Sequence, residues 1–209
     1  RDEAGVPCYP VGTDAFQSIA EKENPQGILA VVRWRPTGMD ALHPGNFSWG
    51  VALVAPQDPG NIGTVMRTID AAGASGLLLL NGGADPTHPG TVRASLGSIF
   101  WMPVVQATFG EFRRWASANG YHVVGTSAHA DQDYRQARPY QFPSILLMGS
   151  ERQGLTDDQL SICQTQVRIP MYGRSSSLNL AIATGLMLYT LAEAVSYTHL
   201  RAHETVLDL

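Results

Sequence analysis

The chain has 209 residues, of which 44% are hydrophobic and 15% are charged, and its formal net charge is −4. This composition excludes an intrinsically disordered protein, and the negative charge excludes one that binds nucleic acid over its whole surface, although it allows a local basic patch. No apolar run reaches the roughly 18–20 residues of a membrane-spanning helix, so we expect no membrane insertion.

The first 36 residues are predicted to form the end of a small α/β unit. Residues 6–11 resemble a short strand, and residues 27–32 are predicted to form an apolar, β-branched strand. Between them a helix is predicted from Thr13, with Thr13 or Asp14 as its cap. Residues 37–47 follow Pro36 and contain Pro44, Gly38 and Gly45, which predicts a linker. The chain starts without Met and without the apolar stretch of a signal peptide, so we expect it to be a piece of a longer protein.

From residue 48 onward, apolar strands and helices are predicted to alternate. Strands are predicted at 50–55, 76–80, 102–105, 121–125, 144–148 and 166–169. Helices are predicted at 61–73, 92–97 and 109–119, from Thr156, and at 178–191. This order predicts an α/β domain with a mostly parallel sheet and helices on both faces, in which ligands bind at the carboxyl ends of the strands.

Three polar loops follow predicted strands. In the first, Asn61 can cap the next helix, Gly63 leaves room for a close neighbour, and Arg67 lies on nearly the same side of the helix as Asn61. The alternative is a capped surface helix with a solvated arginine. In the second, Gly149 permits close backbone approach and Glu151 places a carboxylate at a strand end. The alternative is a tight turn with a capping glutamate.

The third loop, residues 169–179, opens directly into an apolar helix. Three consecutive serines end at Ser177, and one of them would suffice as a helix cap. Asn179 is unusual at the start of an apolar helix unless it has a polar partner, although it can also be a satisfied polar residue of the helix. Free N–H groups and hydroxyls gather at such a helix start, which favours a binding site.

Several common sites are missing from the sequence. The chain has no Gly-x-Gly-x-x-Gly after the first strand, no Walker sequence and no Gly-x-Ser-x-Gly. Its histidines do not cluster with Cys or Asp, so no metal site is predicted. The two cysteines, Cys8 and Cys163, lie far apart, which argues against a disulfide framework and favours a reducing, cytoplasmic location.

The three loops, in this order, resemble the three motifs of the SpoU (TrmH-like) RNA ribose methyltransferases of the SPOUT superfamily. The first family motif, Asn-x-Gly-x-x-x-Arg, is matched by Asn61, Gly63 and Arg67. The second, Gly-x-Glu-x-x-Gly-hydrophobic, is matched by Gly149, Glu151, Gly154 and Leu155. The third, Ile-Pro-Met-x-Gly-x-x-x-Ser-Leu-Asn, is matched by Ile169, Pro170, Met171, Gly173, Ser177, Leu178 and Asn179. The resemblance assigns residues 48–195 to a methyltransferase domain.

The resemblance implies a deep trefoil knot at the C-terminal end of this domain and a homodimer whose contact includes the last helix. It implies that S-adenosylmethionine binds in the knot. The residues that would contact this cofactor are Thr126, Gly149, Ile169, Met171 and Leu178. The residues that would act on the RNA ribose are Asn61, Arg67, Glu151, Ser177 and Asn179.

The reaction implied is methyl transfer to a ribose 2′-hydroxyl of tRNA or ribosomal RNA. Because a guanidinium is not normally deprotonated in proteins, we interpret Arg67 as a charge partner for the developing alkoxide and the adjacent phosphate. Ser177 and Asn179 would hydrogen-bond the ribose or Arg67, and Glu151 would orient Arg67 or Asn61. Two alternatives are a ribosomal RNA methyltransferase that confers antibiotic resistance and a non-catalytic dimer that binds RNA or the cofactor.

Both ends of the chain lie outside this domain. Residues 1–36 resemble the end of the RNA-binding domain that precedes the catalytic domain in many members, which implies an RNA substrate-binding remnant. Residues 196–209 depart from the family pattern and resemble a translated sequencing adapter, so we predict a non-native tail.

Overall fold

The computed structural model describes residues 6–20 and 25–204, with side chains as far as residue 194. By its internal contacts the chain divides into a first unit, Arg1–Trp34, and a second unit, Arg35–Leu209. The predicted tail overlaps residues whose side chains lie outside the described part, and its assignment stays a prediction.

The first unit contains one described helix, α1, at Thr13–Ala20, which confirms the predicted helix start at Thr13. The predicted strands at 6–11 and 27–32 are wrong, because neither segment is a strand in the structure. A strand needs the hydrogen bonds of a neighbouring strand, and the described residues of this unit contain no strand that could supply them. Val31, in the middle of the second segment, is 95% exposed. Composition rich in β-branched residues is therefore not sufficient for a strand here.

The second unit contains seven strands and five helices in its described part. The strands are β1 (Trp49–Val54), β2 (Leu77–Leu80), β3 (Val104–Ala107), β4 (His122–Thr126), β5 (Gln132–Asp133), β6 (Ser144–Met148) and β7 (Thr165–Arg168). The helices are α2 (Pro59–Ala72), α3 (Pro89–Ala94), α4 (Phe109–Ala118), α5 (Asp157–Leu160) and α6 (Leu180–Glu204).

The seven strands form one sheet in the order β3-β2-β1-β6-β4-β7-β5, and all neighbouring pairs are parallel. The predicted parallel sheet is confirmed. The chain leaves β1 toward one edge of the sheet and later returns to build the other half, so the direction of winding changes beside β1. Crevices at such a switch point are where open parallel sheets bind ligands. The trefoil knot implied by the resemblance stays a prediction.

Helices cover both faces of the sheet, as predicted. On one face, Phe109 and Phe112 of α4 join a buried cluster with strand residues such as Leu78 and Ile145. On the other face, α2 packs against both α3 and α6, and α6 also contacts β6. The central strands β1, β2 and β6 are buried along their whole length, which explains why their sequences are continuously apolar.

The predicted linker, residues 37–47, packs as part of the second unit. Leu42 and Phe47 are 5% and 0% exposed, and the N–H of Thr37 donates a hydrogen bond to the Val104 carbonyl at 2.8 Å. Pro44 and Gly45, which contributed to the linker prediction, lie between these two buried apolar residues. The segment therefore contributes to the core that supports β1.

Helix boundaries differ from the prediction where a local cap decides them. Helix α3 begins at Pro89, three residues before the predicted start at 92, because the side chain of His88 accepts a hydrogen bond from the Gly90 N–H. Proline is well tolerated at the first helical position. The C-cap of α2 at Gly73, with φ of 73°, is confirmed.

Candidate functional site

The three polar loops meet at the carboxyl edge of the sheet. The first follows β1, the second follows β6, and the third follows β7 and leads into α6. Strands β1 and β6 are hydrogen-bonded neighbours, so the first two loops face each other directly at the switch point. The sheet order thus brings together segments that are far apart in sequence.

Glu151 connects the second loop to the first. Its carboxylate accepts hydrogen bonds from the backbone N–H of Gln57 at 3.1 Å and from the side-chain amide of Asn61, where Nδ2 lies 3.1 Å from Oε1. The N–H of Asp58 lies 3.5 Å from Oε1. Asn61 is 7% exposed, so its amide is largely removed from water and depends on these partners. Glu151 therefore fixes the entry to helix α2.

Asn179 connects the third loop to this pair. Its Nδ2 donates to Oδ1 of Asn61 at 2.9 Å, and its Oδ1 accepts from the N–H groups of Ala181 at 2.9 Å and Ile182 at 3.3 Å. Asn179 is thus the cap of helix α6 and also the polar partner of Asn61. One chain of hydrogen bonds, the motif network of Glu151, Asn61 and Asn179, joins all three motifs.

The network corrects the predicted helix cap. Helix α2 is capped by Asp58, whose side chain accepts a hydrogen bond from the Gly60 N–H at 2.7 Å, and not by Asn61. Gly63 does have the close neighbour that its small size predicts: a Cβ there would lie 2.3 Å from the Thr91 carbonyl oxygen. Gly63 therefore permits α2 to pack against α3.

The charge of Glu151 is stabilised by its partners. Partial burial acts to raise the pKa of Glu151, but the hydrogen bonds from Asn61 and from backbone N–H groups, including those of Gln57 and Asp58, outweigh it. The pKa of this carboxyl therefore lies below its usual value of 4.5. Hydrogen bonds to the charged form act in this direction.

This pKa makes folding stability depend on acidity. Because the folded-state pKa of Glu151 is lowered, its charged form stabilises the fold above pH 4.5, and this contribution is lost as the pH falls through the lower folded-state value. We expect Glu151→Gln to reduce the slope of unfolding free energy against pH in this acidic range, measured by denaturant titration. An unchanged slope in Glu151→Gln would contradict the assignment.

Gly149 allows two parts of the second loop to touch. A Cβ at this position would lie 2.0 Å from the carbonyl carbon of Gly154 and 2.3 Å from the N of Leu155. Gly154 has φ of 67°, a conformation that glycine adopts without strain. Gly154 also pairs with Ser150 in an antiparallel bridge. Both glycines of the second motif are therefore required for the shape of the loop.

A cavity of about 740 Å³ lies beside these loops. All five predicted cofactor residues line it, namely Thr126, Gly149, Ile169, Met171 and Leu178. Glu151 and Ser177 also line it. Its size lies within the usual range of small-molecule sites, and its lining combines apolar side chains with hydroxyls and backbone, which suits a cofactor with adenine and amino-acid parts. The binding assignments themselves stay predictions.

Arg67 is placed differently from the other predicted catalytic residues. It is exposed on α2, makes no hydrogen bond or ion pair with any residue that the structure describes, and lines neither this cavity nor the smaller one beside it.

The prediction that Glu151 orients Asn61 agrees with the geometry, whereas no contact joins Glu151 to Arg67. The backbone N–H groups of Gln57 and Asp58 were missed, because no side-chain pattern marks a backbone donor.

Among the side chains that the structure describes, no group of three or more His, Cys, Asp or Glu is placed to hold a metal ion. None of the helices in the described part of the chain has both the length and the apolar composition to cross a membrane.

Comparison with known proteins agrees with this geometry. A model of the SpoU rRNA Methylase family matches residues 48–189. The chain is 34% identical over 190 residues to the 23S rRNA (guanosine(2553)-2′-O)-methyltransferase RlmP of Bacillus subtilis. That match covers 90% of this chain and 74% of RlmP. The chain is 36% identical over 183 residues to the 23S rRNA (uridine(2479)-2′-O)-methyltransferase of Streptomyces viridochromogenes. That match covers 84% of this chain and 63% of that methyltransferase.

Solved structures show the same fold. The crystal structure of an AdoMet-bound rRNA methyltransferase from Sinorhizobium meliloti has 40% sequence identity and a TM-score of 0.83, and the match covers 87% of this chain and 70% of that one. The SpoU methyltransferase AviRb from Streptomyces viridochromogenes, in complex with AdoMet, has 38% identity and a TM-score of 0.66 over 71% of this chain and 60% of that one.

Proposed function

The chain belongs to the SpoU rRNA Methylase family, and we propose that it transfers a methyl group from S-adenosylmethionine to a ribose 2′-hydroxyl of RNA. The observation that carries the proposal is the cavity at the carboxyl edge of the sheet. Residues that follow three separate strands, β4, β6 and β7, line it. The loops after β6 and β7 are joined through the motif network. The names of the two curated relatives favour ribosomal RNA over tRNA as the substrate class.

The chain's residues divide into two roles. Thr126, Gly149, Ile169, Met171 and Leu178 would hold the cofactor, which supplies an activated methyl group bonded to sulfonium sulfur. Glu151, Asn61 and Asn179 hold each other and the start of α6, so they act as positioning residues for the cavity wall. Correct placement of reacting groups is a large part of catalysis when the nucleophile is a weak one such as a ribose hydroxyl.

Ser177 and Arg67 are the proposed contacts to RNA. Ser177 is exposed and lines the cavity, so its hydroxyl is available to the ribose. The Arg67 guanidinium is available to a phosphate or to the developing alkoxide, because no described residue occupies it. Arg67 does not line the cavity, so it can take part in the reaction only if RNA or a second copy of the chain completes the site.

We propose that the second copy does so in a homodimer. Helix α6 exposes Ile182, Leu186 and Tyr189, spaced as one helical stripe, with exposed fractions of 56%, 41% and 53%. This stripe borders α2, since a Cβ at Gly185 would lie 3.7 Å from Cγ2 of Thr68. Arg67 is exposed and precedes Thr68 on α2, so we expect Arg67 of each copy to lie near a dimer contact through this face. Exposed apolar patches of this kind mark protein interfaces.

Ile182→Asp tests the dimer without altering either cavity lining. We expect a charge in the stripe to raise the dimer dissociation constant about 10- to 100-fold, because dimerisation would remove the carboxylate from water without giving it a partner. Sedimentation velocity over a concentration series measures this. Leu96→Asp, at an apolar residue that is 66% exposed outside α6, is the matched control and is expected to dimerise normally. A wild-type chain that is monomeric at all concentrations would overturn the dimer.

The proposed activity is separated from simple binding in two steps. Calorimetry with S-adenosylmethionine should give stoichiometric binding, and labelled methyl transfer to ribosomal RNA should follow. Cofactor binding without transfer to any RNA would leave a binding protein and overturn the proposed enzyme.

A further inference from the structure

A second, smaller cavity of about 370 Å³ lies next to the proposed cofactor cavity. The two share the wall formed by residues 169–171 and Leu178. The smaller cavity has its own aromatic and cationic residues, Tyr134, Arg135 and Tyr172, none of which lines the larger one. Its chemistry therefore differs from that of the cofactor site, although the two lie back to back.

Tyr172 is held in an exposed position by Arg135. The tyrosine side chain lies in the third motif loop and is 82% exposed. Nη2 of Arg135 donates to the Tyr172 hydroxyl at 2.6 Å, and the guanidinium carbon lies 6.0 Å from the centre of the tyrosine ring. Large exposed aromatic side chains are usually mobile, so this contact orients a ring that would otherwise reorient freely.

Arg135 is in turn fixed by Asp133. Nε of Arg135 donates to Oδ1 at 3.0 Å and Nη2 donates to Oδ2 at 2.7 Å, which is the two-pronged geometry that arginine makes with carboxylates. Asp133 lies on β5, the edge strand that pairs with β7 just before the third motif loop. Arg135 also lies 5.7 Å from the Tyr134 ring centre. The edge of the sheet thus preorganises both side chains.

The preorganised group still has free binding capacity. Nη1 of Arg135 makes no hydrogen bond with any residue in the described part of the chain, so its two N–H groups are available to a ligand. One face of an oriented aromatic ring and two free guanidinium donors recognise a planar ligand that carries acceptor oxygens or nitrogens. An RNA base is such a ligand, because single-stranded bases stack on aromatic side chains and arginine and are hydrogen-bonded at their edges.

We propose that the cavity of Tyr134, Arg135 and Tyr172 binds the base of the nucleotide that is methylated. This inference rests on the proposed function, since a ribose that enters the larger cavity brings its base to an adjoining wall. The base would stack on Tyr172 and accept hydrogen bonds from Nη1 of Arg135. Tyr172 lines the smaller cavity and not the larger one, so a side chain there can select the base without altering the cofactor wall.

Steady-state kinetics with transcribed ribosomal RNA tests the assignment. Tyr172→Ala is expected to raise the KM for RNA about tenfold, with a much smaller change in kcat and a dissociation constant for S-adenosylmethionine within about twofold of wild type. Tyr172→Phe keeps the stacking ring but loses the hydrogen bond from Arg135 that orients it, so it is expected to recover only part of the lost affinity for RNA. Phe100→Ala removes an aromatic side chain that is 52% exposed outside both cavities, and it is the matched control.

The outcomes separate this inference from the proposed function. An unchanged KM for RNA in Tyr172→Ala overturns the base site while methyl transfer by the wild type still supports the enzyme. An equal weakening of cofactor binding also overturns it, because the smaller cavity would then belong to the cofactor site. Absence of methyl transfer by the wild type itself overturns the proposed function instead.

Discussion

Replacing Arg67 with alanine is expected to lower the rate of methyl transfer about 100- to 1000-fold, which is the usual cost of removing one group that stabilises developing charge. Cofactor binding is expected to persist, because Arg67 does not line the cofactor cavity. Single-turnover transfer of labelled methyl groups to ribosomal RNA measures the rate, and calorimetry measures the binding. A loss of cofactor affinity equal to the loss of rate would show that Arg67 acts on the fold.

The arginine fork itself is tested by Arg67→Lys across a range of pH. Lysine keeps the positive charge but presents no planar pair of donors, so we expect it to recover only part of the lost rate at every pH. Near-full activity in this variant would show that a planar fork is not required. Arg113→Lys, in which the original arginine lies 3.6 Å from Asp158 at the surface, is the matched control and should behave as wild type.

Gly149→Ala is the second change with a large expected effect. The added Cβ would lie 2.0 Å from the carbonyl carbon of Gly154, and since the obstacle is backbone, the second motif loop must move as a whole. Overpacking of this kind costs about 1–3 kcal/mol, which corresponds to a fall of several degrees in Tm for a chain of this length. The displaced loop also forms the cofactor wall, so we expect at least a tenfold weaker affinity for S-adenosylmethionine.

Calorimetry and thermal unfolding check this prediction together. Gly110→Ala is the matched control, because its nearest atoms would lie at ordinary contact distances of 3.8 Å and 4.0 Å, and we expect no loss of stability or binding. If Gly149→Ala bound the cofactor with wild-type affinity, the second motif loop could not form the wall of the cofactor site.

The parts of the fold that sequence predicted well are those with a local physical cause. Strands β1, β2 and β6 are buried on both faces, so each is a continuous apolar run between polar loops. Helix α5 starts where Thr156 and Gln159 form a reciprocal cap, which is visible in the sequence as a spacing of three. Such signals need no knowledge of the rest of the chain.

The failures have a non-local cause. Residues 27–32 have strand composition but no partner strand in the described part of their unit, whereas β5 is only two residues long and exists because β7 lies beside it. Asn61 looked like a helix cap because it lies near a helix start. Its actual partners are 90 and 118 residues away, in Glu151 and Asn179, and only the folded sheet brings them together.

The candidate site was predicted at the level of residues but not of contacts. The order of motifs identified the residues of the larger cavity, since a resemblance transfers residues position by position. The smaller cavity was missed, because Asp133, Arg135 and Tyr172 form no short motif and meet only where β5 runs beside β7.

The proposed enzyme places its methyl group on a ribose and not on a base. The most direct measurement incubates the chain with S-adenosylmethionine labelled in its methyl group and with ribosomal RNA, digests the RNA to nucleosides, and separates them by chromatography. We expect label in a 2′-O-methylated nucleoside, and in a dinucleotide that survives alkaline hydrolysis. Label confined to base-methylated nucleosides, or no transfer by a chain that binds the cofactor, would contradict it.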